Sequence, residues 1–501
     1  MKISCIAKFV AAGFPIYALA DAAAYSNDLR YERAYYGKYP AQQYISAGEL
    51  KAPHVDVLRT PQATILDSKA NLIWTTEWQG QQLYNLMVQR YRGEDYLTFW
   101  SGNDAVGGHG AGQIQMLDKH YNHFKEIKAA NGLDADLHDF RITEAGTAMI
   151  TVYEVVQADL NEAGKPHYGP VWDCLVQEID LETGEALFQW RALDHLTVGD
   201  SLRAISDDGE GDSLYDFFHM NSIDKDARGN YLVSSRYAHS LTYINGSDGE
   251  VIWILGGKRN TTITIFDNGV DDPHPTRADT RGLKVRVDEQ AMTATVVTEY
   301  HNPHGVHGLS QGSFQTLPNG NVLLGYGNAA AYTEFAPDGT ALCDTHFAPE
   351  NRFGSGEVQS YRVYKYEWHG WPTTKPDVVI GRKGYKSWGV YVSWNGATEV
   401  SRWVLQGSDG RQGAEEIWKD LASERKVDFE TEFDLRVTYP RYLRAAAVDA
   451  TGRTLDVSEP VDGRDVKGEV SYGNHEAYAA VMMMANPLSG VGISSDDLFR
   501  V

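Results

Sequence analysis

Three histidines in one short loop are the first residues whose types and spacing could do chemistry. His301, His304 and His307 recur every third residue among proline and glycine. Imidazoles spaced in this way could bind a metal ion, or one of them could act as a nucleophile. No acidic or cysteine ligand stands at a clear spacing from them, so the sequence predicts no metal site. The nucleophilic role stays open.

Two other segments have part of a site motif but not the whole of it. Residues 224–229 begin like a calcium loop, yet Arg228 occupies a ligand position and Ser235 replaces the closing glutamate. Residues 107–112 are rich in glycine but lack the strand–helix context of a phosphate-binding loop. No Gly-x-Ser-x-Gly elbow and no catalytic Cys/His pair is evident. We therefore expect no cofactor.

Two kinds of turn alternate along the chain and must position the functional side chains. One is a polar turn with glycine between hydrophobic strands, as in residues 142–150, and the other is an Asp-x-x-x-Gly-Glu turn, as in residues 180–190. One hairpin of each kind makes a four-stranded blade, and a repeat of about 40–60 residues is typical of β-propellers. Six blades are expected near 87–127, 137–192, 219–255, 261–300, 312–347 and 359–408.

The predicted fold class is therefore all-β, a six-bladed β-propeller of four-stranded antiparallel blades with a small C-terminal extension. The propeller should span 60–410, and the extension over 411–501 should pack on it or close it. Strands near 60–78 or the hairpin at 440–457 could close the ring. A short helix is expected at 413–425.

Charge and composition limit the partners. The formal net charge of −23 repels nucleic acid and anionic membranes, so we expect neither as a partner. The 42% hydrophobic and 11% aromatic content is typical of a folded protein. The oligomeric state stays open.

The N-terminus resembles a secretory signal peptide over 1–20, followed by a lead-in over 21–59. Lys2 and Lys8 precede or flank a short apolar stretch that ends in small residues. The alternative is a buried N-terminal helix. We expect a protein that is secreted or lies in the lumen of the secretory pathway.

Oxidising surroundings would permit two covalent modifications. Cys174 and Cys343 are the disulfide candidate, although two free buried cysteines fit equally well. Asn245 and Asn260 begin glycosylation sequons, whose residues are also ordinary turn formers.

Several strings, in the same order, resemble the fungal arylsulfotransferase-like family of quinoprotein-like propellers. They cover roughly 60–410, and no resemblance is found beyond it. Their combination is specific, whereas any one of them alone would be weak. The strings are residues 136–140, 217–224, 252–259, 265–269, 310–315 and 391–399.

The resemblance implies transfer of a sulfuryl group between phenols through a sulfo-histidine. Hydrogen-bond donors and cations on the innermost strands would hold the charge on the sulfuryl oxygens. In this sequence the matching residues are His138, His219, Asn221 and Arg236, and a structural role tying the strands together is the alternative. Further binding residues implied by the matching strings and the neighbouring loop are Gln311, Gln315 and His307.

The sequence departs from the family pattern where relatives carry the nucleophile, in a Gln-His-Asp motif between two of these strings. Here Arg259 is followed by Asn260-Thr261-Thr262, and no histidine lies between His239 and His274. Amide and hydroxyl groups are poor nucleophiles without an adjacent base. A covalent sulfo-enzyme is therefore not expected.

Three functions follow as hypotheses. The preferred one is an enzyme that binds an aromatic or polycyclic natural product and promotes a cofactor-free cyclisation or cycloaddition in fungal secondary metabolism. The second is an arylsulfotransferase that uses a displaced histidine. The third is a non-catalytic propeller that binds a ligand.

Overall fold

Antiparallel β-strands joined by tight turns make up nearly all of the regular structure in this computed structural model. Within the described residues no α-helix occurs, and the helical turns are the short 3-10 segments Asn161–Ala163, Ala192–Asp194, Val198–Asp200 and Gly327–Ala329. The structure describes residues 63–67, 72–76, 81–105, 108–165, 167–203, 205, 214–256, 265–271, 274–275, 279–288, 291, 293–346, 353–354, 359–384, 387–410, 418–427, 429–435, 439–465 and 467–469.

The first strands form a hairpin and two antiparallel sheets, blade 1 and blade 2. The hairpin consists of β1 (Thr64–Leu66) and β2 (Leu72–Thr75). Blade 1 consists of β3 (Gln82–Tyr91), β4 (Glu94–Asn103), β5 (Ala111–Leu117) and β6 (His123–Ile127). Blade 2 consists of β7 (Phe140–Ile142), β8 (Thr147–Asp159), β9 (Tyr168–Asp180) and β10 (Ala186–Arg191), and β11 (Tyr215–Asp216) pairs in parallel with β9.

Three further sheets, blades 3, 4 and 5, follow in chain order. Blade 3 consists of β12 (Met220–Lys225), β13 (Tyr231–Ser235), β14 (Ser240–Ile244) and β15 (Val251–Gly256). Blade 4 has the three strands β16 (Ile265–Asp267), β19 (Arg281–Asp288) and β20 (Thr293–His301), with the hairpin β17 (Val270–Asp271) and β18 (His274–Pro275) inserted. Blade 5 consists of β21 (Ser313–Thr316), β22 (Val322–Gly325), β23 (Ala331–Phe335) and β24 (Ala341–His346).

The two-residue period of the strands explains why the blades stack. On β8, Ile150 and Val152 pack into the core between blades 1 and 2. Met149 and Tyr153, one residue out of phase with them, pack into the core between blades 2 and 3. Successive side chains of a strand point to opposite faces, so an apolar run buries both faces of a sheet. This arrangement is propeller-like.

An extended segment without strands, which we call the strap (residues 359–366), lies along the innermost strand of blade 5. Ser313 Oγ donates to the Val363 carbonyl at 2.8 Å and accepts from its N–H at 3.1 Å. The Gln315 side chain accepts from the Lys365 N–H at 2.7 Å and donates to the Lys365 carbonyl at 3.1 Å. These bonds hold the strap where a neighbouring strand would otherwise pair.

The C-terminal strands form a two-sheet sandwich rather than a blade. Its core packs Val390 and Val392 of one sheet with Trp403, Leu405 and Leu443 of the other. The strands are β25 (Asp377–Gly384), β26 (Ser387–Ser393), β27 (Arg402–Ser408), β28 (Lys419–Arg425), β29 (Glu430–Leu435), β30 (Tyr442–Val448), β31 (Thr454–Val457), β32 (Val461–Asp462) and β33 (Lys467–Glu469). Strands β25, β26, β29 and β33 form one sheet, and β27, β28, β30, β31 and β32 form the other.

The predicted all-β, propeller-like class is confirmed, whereas the count of six blades is not. Within the described residues, the sixth predicted blade, 359–408, does not form one sheet. It begins with the strap, and its strands β26 and β27 belong to opposite sheets of the sandwich. Their apolar residues face one another across a core instead of lying side by side in one sheet.

At the C-terminus one prediction stays open and one is corrected. Strands β27 and β28 pair antiparallel across the predicted boundary at 410, and the division into a propeller over 60–410 and an extension over 411–501 stays a prediction. The helix predicted at 413–425 is wrong where the structure describes it, since Lys419–Arg425 is a strand whose mostly exposed polar side chains face solvent. Backbone pairing with β27 outweighs the helical propensity of those residues.

The N-terminal predictions fall on residues that the structure does not describe. The signal peptide over 1–20 and the lead-in over 21–59 therefore stay predictions. In the described part of the chain, no helix has the length and apolar character needed to cross a membrane.

Candidate active site

Two buried histidines face each other where the inner strands of blades 2 and 3 begin. His138 precedes β7 and His219 precedes β12, and each side chain is about 6% exposed. Their ring centroids lie 5.0 Å apart, with the planes at 80°. Each imidazole is oriented by its own aspartate, two or three residues earlier in the chain.

Asp136 orients His138 through two contacts. Its Oδ2 accepts from the His138 N–H at 2.9 Å and lies 2.8 Å from His138 Nδ1. Its Oδ1 accepts from the Gly110 N–H at 2.8 Å. Burial raises the pKa of Asp136, but the histidine and the hydrogen bonds outweigh burial and hold that pKa below its usual value. The carboxylate is therefore ionised beside the ring.

Asp216 orients His219 by the same device. Its Oδ1 accepts from the His219 N–H at 3.1 Å, and its Oδ2 lies 2.5 Å from His219 Nδ1. His219 has a φ of +52°, in the left-handed region that non-glycine residues seldom adopt and that often marks functional sites. Burial is the largest cause that lowers the pKa of His219, so its ring is neutral near pH 7.

A third histidine, His109, lies behind this pair. Its ring stacks on Tyr153 at 3.8 Å between centroids, and its Nε2 is 3.3 Å from Asp216 Oδ2. The side chain is fully buried, and neither ring nitrogen has a hydrogen-bond partner among the described residues. Burial lowers its pKa to about 4, so the ring is neutral. At the neighbouring position 110, a Cβ would lie 2.5 Å from the Trp100 side chain, so only glycine fits there.

Two arginines contact groups next to the pair. Arg236 lines the cleft described below, and its backbone N–H donates to the His219 carbonyl at 2.8 Å. Arg362, from the strap, donates to the Asn221 carbonyl at 2.7 Å and to Asp139 Oδ1 at 3.2 Å. The strap thus links blades 2 and 3 beside the histidines.

The two facing histidines and both arginines line a cleft of about 1720 Å³ between blades 1 to 5 and the strap. The predicted residues His138, His219, Asn221, Arg236 and Gln311 all lie in its wall. Aromatic side chains add apolar surface, which suits a flat ring system. They are Tyr84, Tyr237, Phe266, Phe314, Tyr361 and Tyr364.

Two predicted binding residues lie elsewhere. Gln315 is bonded to the strap backbone at Lys365, and His307 Nε2 lies 3.0 Å from the Asn268 carbonyl. Neither belongs to the lining of the cleft. Both side chains contact neighbouring backbone, and their binding role stays a prediction.

The modification candidates have separate outcomes. Cys174 and Cys343 lie on blades 2 and 5, and the disulfide between them is not formed. Asn245 opens the turn between β14 and β15, and its Oδ1 accepts from the Ser247 N–H at 2.8 Å, which is ordinary turn chemistry. Its glycosylation stays a prediction. Asn260 and the shortened segment around it lie outside the described residues.

The sequence analysis did not assign Asp136, Asp216, His109 or Arg362 to the site. The Asp-x-His spacing at 136–138 and the Asp-x-x-His spacing at 216–219 were visible signals, since a carboxylate so close can reach its own imidazole. His109 was interpreted as part of a flexible glycine-rich loop. Nothing in the sequence near Arg362 indicates that the strap crosses to blades 2 and 3.

A family model covers the part of the chain that carries both aspartate–histidine pairs. The family model described as arylsulfotransferase (ASST) matches residues 87–348, which is more than half of the chain. The chain therefore belongs to the arylsulfotransferase family. No curated protein matches the sequence.

Two solved structures are similar at low identity. One is a protein of unknown function from Bacteroides caccae, at 14% identity and a TM-score of 0.35, covering 57% of this chain and 89% of that one. The other is a catalytically inactive virginiamycin B lyase from Staphylococcus aureus with quinupristin, at 9% identity and a TM-score of 0.29, covering 79% and 96%. At these scores neither carries an argument about function.

Proposed function

We propose that this protein is an enzyme that binds an aromatic or polycyclic small molecule in the cleft and promotes an acid–base reaction with His138 and His219. The observation that carries the proposal is the pair of aspartate-oriented imidazoles, 5.0 Å apart between ring centroids, in the wall of the cleft. In each, Nδ1 faces a carboxylate, which leaves Nε2 for the substrate.

The protonation state of His219 supports proton transfer. His219 is neutral because burial lowers its pKa, so its Nε2 is an acceptor for a substrate proton. Asp216 then stabilises the imidazolium that forms. Arg236, in the same wall, is placed to stabilise an oxyanion that develops on a phenol or carbonyl.

A cofactor-free cyclisation or cycloaddition of a natural product fits these parts best. A cyclisation can use a shaped apolar wall, a proton acceptor and a cation, and a cycloaddition can use the wall and the cation. The cleft offers all three. Secretion, predicted from residues 1–20, and a place in secondary metabolism belong to the same proposal.

Sulfuryl transfer through a displaced histidine is the second candidate. Membership of the arylsulfotransferase family favours it, and so does the Asp216–His219 pair, since an oriented neutral imidazole is also a nucleophile. The displaced nucleophile would be His219 or His138, because His301, His304 and His307 lie outside the lining of the cleft.

The base can be tested without the natural substrate. Nitrobenzisoxazole opens to a cyanophenolate when a base removes its ring proton, and its flat bicyclic ring suits the cleft. We expect catalysis above the buffer rate and a loss of about a hundredfold or more in His219→Ala, which is the lower end of the usual range of base catalysis. His123→Ala, at an exposed position on β6, is the matched control.

A second assay distinguishes the two candidate functions. The protein is incubated with p-nitrophenyl sulfate and a phenol acceptor, followed by intact mass spectrometry. No sulfo-enzyme is expected under the main proposal. A sulfuryl group gained by wild type but not by His219→Ala would establish the second candidate, and equal nitrobenzisoxazole rates in wild type and His219→Ala would refute the first.

A further inference from the structure

A second histidine–carboxylate cluster lies in blade 5, outside the cleft. It joins His304, from the loop after β20, to Asp344 and His346 on β24. His304 Nδ1 lies 2.9 Å from Asp344 Oδ2, and His346 Nε2 lies 2.8 Å from the same oxygen. One carboxylate oxygen is therefore shared by nitrogens from two imidazoles.

The other carboxylate oxygen is held in place separately. Asp344 Oδ1 accepts from Asn302 Nδ2 at 2.7 Å and from Thr333 Oγ1 at 2.6 Å. These two bonds fix the carboxylate, and its Oδ2 lies towards the two rings.

The spacing of the three atoms fits a small cation. Ligands at about 2.0–2.1 Å from a tetrahedral zinc ion lie about 3.3 Å from one another. The two nitrogen–oxygen distances here are 2.9 and 2.8 Å, and all three ligand atoms lie within 4.8 Å of one another. Each nitrogen–oxygen pair would open by about half an ångström to seat the ion.

The two imidazole rings differ in their exposure to solvent. His346 is fully buried and stacks on Phe353 at 4.7 Å between centroids, which fixes its orientation. The His304 side chain is 35% exposed, so one side of the cluster is open to solvent. A metal ion could reach the site from that side and keep a water ligand there.

We propose that His304 Nδ1, Asp344 Oδ2 and His346 Nε2 bind a zinc-type divalent cation, with one coordination position open to water. Two imidazoles and one carboxylate suit Zn²⁺ or Co²⁺, whereas Mg²⁺ and Ca²⁺ prefer sites made of oxygen. Asn302 and Thr333 are the outer groups that orient the ligating carboxylate. This site does not depend on the function proposed for the cleft.

Titration of untagged, chelator-treated protein with Zn²⁺, and with Co²⁺ followed by its visible absorption, tests the site. We expect one equivalent at this cluster with an affinity at least about tenfold lower in His304→Ala, because one of three protein ligands is lost. His304 is exposed, so its removal should leave thermal unfolding of the metal-free protein unchanged. Mg²⁺ and Ca²⁺ should not compete.

The matched control is His301→Ala. His301 is three residues away and also exposed, but its nitrogens face Asp279 and Glu299 instead of the cluster. We expect His301→Ala to bind like wild type. Absence of Zn²⁺ binding, or the same stoichiometry and affinity in wild type and His304→Ala, would overturn the proposal. Activity in the cleft does not enter either measurement.

Discussion

The buried imidazole of His109 should make folding stability depend on pH. Its pKa falls from the usual 6.5 to about 4 because burial disfavours the charged ring. The ring becomes protonated in the unfolded chain below pH 6.5 but in the folded protein only near pH 4. Between these values the unfolded state binds more protons, so the free energy of unfolding falls as pH falls.

The size of the effect follows from the two pKa values. One unit of pKa shift corresponds to about 1.4 kcal/mol of unfolding free energy. A fall of the His109 pKa from 6.5 to about 4 therefore costs about 3 kcal/mol of unfolding free energy at low pH, and most of it is lost between pH 6.5 and 4. Above pH 6.5 this contribution is constant. His109→Phe removes the titration while keeping a ring to stack on Tyr153.

The assay is urea unfolding of wild type and His109→Phe at a series of pH values, followed by fluorescence. The informative quantity is the difference between the two unfolding free energies, because other titrating groups largely cancel in it. We expect wild type to lose about 3 kcal/mol relative to the variant between pH 7.5 and 4. His123→Phe, at an exposed site, is the control for loss of a histidine from the unfolded chain. A difference that stays flat across this range would refute the reasoning.

Three substitutions test the construction of the cleft. Arg236→Ala should bind p-nitrophenyl sulfate more weakly than Arg236→Lys, because lysine keeps the positive charge and loses only the bidentate fork of the guanidinium. Equal affinities of the two variants would contradict a role of Arg236 in binding. Gly110→Ala should lower the free energy of unfolding by about 1–3 kcal/mol, because its Cβ would meet a buried tryptophan at 2.5 Å, and unchanged urea unfolding would contradict this close packing. Arg362→Met should lower the free energy of unfolding by about 2–3 kcal/mol, because it breaks a buried ion pair with Asp139. The loss should be small for such a pair, since Asp139 still has Arg141 at 3.4 Å. An unchanged unfolding midpoint would show that other contacts hold the strap.

Turn chemistry was the most reliable guide to the blades. The ranges predicted for blades 1 to 3 end at 127, 192 and 255, and the sheets end at Ile127, Arg191 and Gly256. Glycines with positive φ close these hairpins, as Gly146 and Gly229 do, so the signal is local and readable. The sandwich was missed because pairing across a core leaves the same alternating pattern as pairing within a blade.

The site was partly predictable for a similar reason. The cleft brings together His138, His219, Asn221 and Arg236, because residues at the starts of successive inner strands converge. Their roles stay predictions. Long-range contacts could not be predicted, and Arg362 shows why, since 223 residues separate it from Asp139. Short sequence windows carry no information about such a contact.

The cleft is built from two parts of the chain, one inside and one outside the match to the family model. Residues 87–348, which match the arylsulfotransferase family, contain both aspartate–histidine pairs and Arg236. The strap, outside that match, adds Tyr361, Arg362 and Tyr364 to the wall. The two histidines of the proposed function thus lie just before the inner strands of blades 2 and 3, whereas part of the wall lies on a segment held mainly by side-chain hydrogen bonds. Under that proposal, we expect a change in the strap to alter which ring system fits without moving either histidine.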